Sequence, residues 1–207
     1  VALGRVVDRA SDCPYASVAF SREEMRELKT AALLHDFGKI SIPEKVLVKG
    51  KKLAENEVQR IRDRFDFALE AEDARDVRSL LLRLLDAGLP PSSEDVRLLD
   101  LSRWERAQEL EEMFDEVRRA NEPTVLPEEA GGALRKLLTR SYRDRRGVVA
   151  PLLTDYEFQL LSIRKGTLSF EERTQIESHV SHTYRFLSSI PWTADLARVP
   201  EIAHAHH

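Results

Sequence analysis

The stretch LHDFGKISIP at residues 34–43 places a histidine and an aspartate side by side at the end of a predicted helix. That helix begins after Ser21, which forms a capping-box pattern with Glu24. Its apolar stripe consists of Met25, Leu28 and Ala32. At about 100° per residue, His35 and Asp36 project close to this stripe, so we expect Asp36 to face the core. An ionised carboxylate in that position requires a cation, and a metal ion is the economical candidate.

The histidines are distributed unevenly along the chain. His35 is followed by none until residue 179, and the remaining five are His179, His182, His204, His206 and His207. Such a gap followed by crowding predicts a metal site assembled from distant helices. His179 lies on the edge of a predicted apolar stripe and is also compatible with a buried structural histidine, whereas His182 and His204 point toward the surface. A purification-tag remnant is the alternative source of the C-terminal histidines.

The middle of the chain has the periodicity of amphipathic helices. The apolar stripes are Val77, Leu80, Leu81, Leu84 and Leu85; Leu110, Met113, Phe114 and Val117; and Leu134, Leu137 and Leu138. Capping-box patterns follow at Thr154–Glu157 and Ser169–Glu172. Because an amphipathic helix buries its apolar face, we expect all three stripes to contribute to a core. The predicted fold class is all-α.

Composition excludes several classes of protein. A formal net charge of -4 argues against a duplex nucleic-acid partner, and the single cysteine, Cys13, can form neither an internal disulfide nor a thiolate zinc site. No apolar run is long enough to cross a bilayer and no signal peptide is recognisable, so a cytoplasmic location is expected. The chain begins at Val1 without a methionine and stops in an apparent helix, so we expect further sequence at both ends.

These motifs resemble the HD-GYP family of HD-superfamily metal-dependent phosphohydrolases. Residues 34–43 contain the pattern HDxGKxxIP, Ile176 to His179 resemble the next ligand histidine, and His206-His207 resemble the paired histidines of a later helix. The resemblance covers about residues 22–64 and 166–207. It implies an HD-domain helical bundle with an inserted helical subdomain.

The resemblance also implies a division of the chain. Residues 1–64 would form the first part of the HD-type domain, 65–165 a helical insertion, and 166–207 the second part. The residues Leu53, Glu57 and Ile61 have the same spacing as Leu168, Glu172 and Ile176, which gives Arg64 the position that His179 has in the second copy. Three features of the family are unmatched: a Gly-Tyr-Pro element and a later aspartate, both expected after residue 207, and an upstream histidine near the N-terminus.

The function implied by the resemblance is hydrolysis of a cyclic dinucleotide, such as cyclic di-GMP, in bacterial signalling. The metal ligands would be His35, Asp36, His179, His206 and His207. They would hold two divalent transition-metal ions bridged by Asp36, with iron or manganese favoured because the ligands are nitrogen and oxygen without sulfur. Asp36 and Lys39 would be catalytic, and Lys39 would also bind a substrate oxygen. The alternative is a structural role for Lys39, because the helix dipole favours a lysine at the C-terminus of a helix.

Two other functions are compatible with the same motifs. One is an HD-family phosphohydrolase of mononucleotides or alarmones, and the other is a degenerate HD-type sensor or partner-binding module. With any of these functions, a sensory or receiver domain outside this sequence is a possible partner. The basic residues Lys49, Lys51 and Lys52 either lie in a solvated loop or attract a phosphate-bearing ligand electrostatically.

Overall fold

The computed structural model describes residues 6, 19–125, 128–144 and 146–205. In chain order the elements are α1 (Arg22–Leu34), a 3-10 turn (Phe37–Ser41), α2 (Glu44–Leu47), α3 (Glu55–Ala87), α4 (Ser93–Ala120), α5 (Glu128–Thr139), β1 (Ser141–Arg143), β2 (Val149–Pro151), α6 (Asp155–Leu161), α7 (Phe170–Glu177), α8 (His179–Ser188), a 3-10 turn (Ala194–Leu196) and α9 (Val199–His204). The all-α class is confirmed. None of the helices in these ranges has the length and apolar character needed to cross a membrane.

The chain forms two compact units. The first comprises the described parts of Val1–Val48 and Phe170–His207, and the second is Lys49–Ser169. The boundary predicted at residues 64–65 falls inside α3, where Ile61 and Phe65 on either side of it are both buried in the second unit.

In the first unit α9 packs against both α1 and α8, and α8 also contacts the first 3-10 turn. Its buried core consists of Ala31, Leu187, Val199 and Ala203. The buried side of α1 differs from the predicted stripe: Glu27 and Ala31 are buried, whereas Ala32 is exposed. Glu27 is buried because its carboxylate accepts a hydrogen bond from the Arg198 backbone N–H at the start of α9. The predicted start of α1 is confirmed, since the Ser21–Glu24 capping box is formed.

The second unit is a helical hairpin with a smaller layer packed at its base. The antiparallel helices α3 and α4 are joined by residues 88–92, and Gly88 ends α3 with a left-handed φ of 65°. The core of this unit contains Ile61, Phe65, Leu110, Phe114 and Val117 from the hairpin, with α5 and α6 packed on them. The stripes at 110–117 and 134–138 are therefore core, as predicted.

Two features of the second unit were not predicted. The strands β1 and β2 form a short antiparallel hairpin in which Tyr142 pairs with Ala150. The stripe at 77–85 is not core: Val77, Leu81 and Leu85 are exposed, and Leu80 and Leu84 are only half-buried. The prediction failed there because this part of α3 contacts α4 but no further layer of the unit covers it.

Two of the three lysines at residues 49–52 bind other groups of the same chain. Lys51 pairs with Glu122 at 2.8 Å. The Lys52 side chain is fully buried, and its ammonium group donates to the carbonyl of Leu161 at the end of α6. The solvated-loop interpretation is therefore wrong for Lys52. Burial lowers the pKa of this lysine below its usual value.

Candidate metal centre

The histidine–aspartate pair lies between two helical segments. Helix α1 ends at Leu34, and His35 and Asp36 lead into the 3-10 turn Phe37–Ser41. The helix therefore stops two residues before Asp36, and the Asp36 side chain is 41% exposed. The expectation that Asp36 faces an apolar core was wrong, because that expectation required α1 to continue through it.

Gly38 brings the 3-10 turn into direct contact with α8. A Cβ atom at this position would lie 2.1 Å from the His179 carbonyl oxygen and 2.8 Å from the Thr183 backbone nitrogen. The Gly38 backbone N–H donates to Thr183 Oγ1 at 2.8 Å, and the same hydroxyl donates to the His35 carbonyl at 3.1 Å. Gly38 allows this close approach because it has no Cβ atom.

His179 comes to the site from the start of α8. Helix α7 leads into α8 through Ser178, whose backbone angles are helical, and His179 is the first residue of α8. Its side chain is buried. The His179 Nε2 atom lies 3.4 Å from Asp36 Oδ1, and the His35 Nε2 atom lies 3.3 Å from Asp36 Oδ2. The two imidazoles thus approach opposite oxygens of one carboxylate.

The other ring nitrogen of each histidine faces a backbone carbonyl. His35 Nδ1 lies 2.9 Å from the Ala32 oxygen, and His179 Nδ1 contacts the Ile176 oxygen. A nitrogen facing a carbonyl carries the hydrogen, so in the neutral imidazoles Nε2 is the acceptor. Acceptor nitrogens facing a carboxylate require positive charge between or upon them, and metal-bound histidines commonly use Nδ1 in this way. The donor set therefore fits a divalent metal.

Lys39 completes the cluster. Its Nζ atom donates to Asp36 Oδ2 at 2.8 Å, and both side chains are about two-fifths exposed. The hydrogen bond from Lys39 holds the pKa of Asp36 below its usual value; partial burial opposes this effect, and the charges of His35 and His179 reinforce it. Asp36 is therefore ionised at neutral pH.

The structure brings together four of the six residues predicted for the site, namely His35, Asp36, Lys39 and His179. His206 and His207 lie outside the described residues. Within the described ranges, no three His, Cys, Asp or Glu side chains are arranged to hold one ion between them.

Two neighbouring residues were not predicted to belong to the site. The Thr183 hydroxyl joins the 3-10 turn to α8, and helical periodicity alone gives no sign of this contact. His182, predicted to point to the rim, has its Nδ1 atom 2.5 Å from Ser41 Oγ. Because that hydroxyl donates to the Gly38 carbonyl at 2.7 Å, His182 Nδ1–H is the donor to Ser41. His204 is exposed, as expected, and its ring lies against Tyr184.

The histidine–aspartate pair after α1 lies against a histidine from α8. Together these residues form a candidate metal centre in an all-α protein. The family model of the HD domain matches residues 5–118, more than half of the chain. The chain therefore belongs to the HD domain family, whose members are generally metal-dependent phosphohydrolases that bind divalent metals. The match includes His35 and Asp36 and ends before His179. No curated protein and no solved structure matches the chain.

Proposed function

We propose that this chain forms part of a metal-dependent phosphodiesterase of the HD-GYP group, which hydrolyses a cyclic dinucleotide such as cyclic di-GMP in bacterial signalling. The observation that supports this most strongly is the convergence of His35, His179 and Lys39 on the carboxylate of Asp36. The choice of the HD-GYP group rests on the sequence, where HDFGK is followed by Ile42-Pro43 and later by a histidine pair.

Metal binding would fall to His35, Asp36, His179, His206 and His207. Asp36 has one oxygen directed at each of two imidazoles, so it is suited to lie between two ions. Nitrogen and oxygen donors without sulfur favour iron or manganese. When bound, such ions supply positive charge for the phosphodiester and a water-derived nucleophile at neutral pH. The contacts of the two Nδ1 atoms with backbone carbonyls would keep both rings oriented for this task.

Lys39 would act on the substrate. Its ammonium group already lies within hydrogen-bond distance of Asp36 and is partly exposed, so it can reach an anion that approaches the carboxylate. A phosphodiester oxygen gains negative charge as the attack on phosphorus proceeds, and a fixed cation stabilises that charge. Lys39 would therefore bind a non-bridging oxygen while Asp36 remains ionised.

Metal analysis of purified protein tests the ligand assignment. The wild-type chain is expected to retain a transition metal, and Asp36→Ala and His179→Ala are expected to lose most of it. His204→Ala and Arg64→Ala are the matched controls: His204 lies exposed on α9, and Arg64 has the equivalent motif position in the second unit. Equal losses in His179→Ala and Arg64→Ala would contradict the assignment, as would a folded, unchelated wild-type protein without metal.

A substrate panel tests the reaction. The purified protein is incubated with cyclic di-GMP, its linear dinucleotide, mononucleotides and a simple phosphodiester. Preferential turnover of cyclic di-GMP, lost in Asp36→Ala and reduced about 10²-fold or more in Lys39→Met, is the expected outcome. Preference for a mononucleotide would indicate another HD-type phosphohydrolase. Metal binding without any turnover would indicate a degenerate binding module.

A further inference from the structure

The outer part of the hairpin formed by α3 and α4 has no core of its own. This part, residues 69–109, is called the arm here. None of its side chains is buried, whereas the base of the same hairpin buries Phe65, Ala68, Leu110 and Phe114. Two helices alone cannot enclose a core, and stable helical structures add at least another layer. The arm therefore has an open side.

Ion pairs across the arm define how its two helices are aligned. Arg103 pairs with Glu70 at 2.6 Å and with Asp73 at 3.0 Å. One turn further along α4, Arg106 pairs with Asp76 at 2.5 Å. These pairs hold the helices side by side, so residues near 78 in α3 lie level with residues near 100 in α4.

A cleft on one side of the arm is lined by charged and apolar side chains, namely Asp76, Ser79, Leu80, Arg83, Asp95, Leu98 and Leu99. At about 100° per residue, a different set of side chains projects from both helices to the opposite side. This apolar face consists of Val77, Leu81, Leu85, Val96 and Trp104. All five are exposed, with Leu85 at 75% and Trp104 at 60%.

An exposed apolar face of this kind normally marks an interaction surface. Tryptophan is prominent among the residues that dominate binding energy at such surfaces. The face is formed by two adjacent antiparallel helices, so its simplest complement is another pair of helices, which would complete a four-helix bundle.

Charge indicates that the complement is a second copy of the chain. Asp100 lies within the apolar face, one turn from Val96 and one from Trp104, and Arg78 borders the face on α3. Neither makes an ion pair within the residues that the structure describes. Because the two charges lie level with each other, a two-fold axis along the arm would place Arg78 of each copy opposite Asp100 of the other. An isologous interface makes this contact twice.

We propose that the apolar face of the arm is a dimerisation surface whose partner is a second copy of this chain. The dimer would pack α3 of one copy against α4 of the other and cover Leu81 and Trp104. This dimerisation proposal is independent of the proposed catalytic function, since every residue of the apolar face lies in the second unit.

Analytical ultracentrifugation of the complete 207-residue chain tests the surface. The wild type is expected to be a dimer and Leu81→Asp a monomer. Leu82→Asp is the matched control, because Leu82 is the next residue, is similarly exposed (52% against 46%), and projects away from the apolar face. It should remain a dimer. Circular dichroism establishes that each variant is folded, and Trp104→Ser replaces Leu81→Asp should the latter unfold.

A charge exchange tests the identity of the partner. Arg78→Asp or Asp100→Arg alone places like charges opposite each other and should weaken dimerisation about tenfold or more. The double variant should restore dimerisation, which only a self-complementary interface predicts. A monomeric wild type, a dimer that survives both Leu81→Asp and Trp104→Ser, or equal effects of Leu81→Asp and Leu82→Asp would each overturn the proposal.

Discussion

Replacing Gly38 by alanine tests whether the contact between the 3-10 turn and α8 holds the candidate metal centre together. The added Cβ atom would lie 2.1 Å from the His179 carbonyl oxygen and 2.8 Å from the Thr183 nitrogen. These are backbone atoms, which cannot rotate aside as a flexible side chain would. The turn and α8 would have to separate by more than about 1 Å to restore ordinary contact.

The cost can be estimated from two effects. Overpacking in a close contact costs about 1–3 kcal/mol. Separation also weakens the hydrogen bond from Gly38 N–H to Thr183 Oγ1, at about 1 kcal/mol. The reduced entropy of the unfolded alanine chain offsets about 0.4–1 kcal/mol. The free energy of unfolding should therefore fall by about 1–3.5 kcal/mol.

Urea denaturation followed by circular dichroism measures this change. Gly132→Ala is the control, because nothing lies within 4 Å of an added Cβ there and the position is within α5. That variant should be more stable than wild type by about 0.5–1 kcal/mol. Gly38→Ala should also lose metal, since the movement carries His179 away from Asp36. A Gly38→Ala protein within about 0.5 kcal/mol of wild type would refute the close-approach argument.

Substitutions at three further positions give distinct outcomes in the same denaturation assay. Thr183→Val keeps the shape but leaves the Gly38 N–H without its acceptor, so it should cost about 1–3 kcal/mol, while Thr183→Ser should cost less. Because burial lowers the pKa of Lys52 from its ordinary 10.5, the unfolded chain binds more protons between the two values and stability should rise with pH toward 10.5. Lys52→Met should abolish that rise; an unchanged pH profile would contradict it. Arg64→Met leaves the mostly buried Glu157 carboxylate without its 2.6 Å partner and should cost about 2–3 kcal/mol with metal content unchanged.

Much of the candidate site could be predicted because its residues are chemically distinctive. His35, Asp36, Lys39 and His179 were selected from sequence spacing and the structure places them together. The solvent exposure of Asp36 could not be predicted, since it depends on where α1 ends. Periodicity assumes that a helix continues, and here it stops at Leu34.

The fold could be predicted where local signals and packing agree. The capping boxes at Ser21 and Thr154 begin helices as expected, and Gly88 ends one. The stripe at 77–85 shows the limit of such reasoning. An apolar stripe indicates which side of a helix is suited to burial, but it does not indicate whether the same chain covers that side.

The geometry of the centre and its charge have separate determinants. Gly38 and Thr183 set the distance between the turn and α8, and so the position of His179 relative to Asp36. Lys39 sets the acidity of Asp36 through a hydrogen bond that involves neither of those residues. A change at Gly38 should therefore reduce metal binding at every pH at which the protein is folded. A change at Lys39 should instead act on turnover, because the imidazoles keep their contacts with backbone carbonyls and remain directed at the carboxylate.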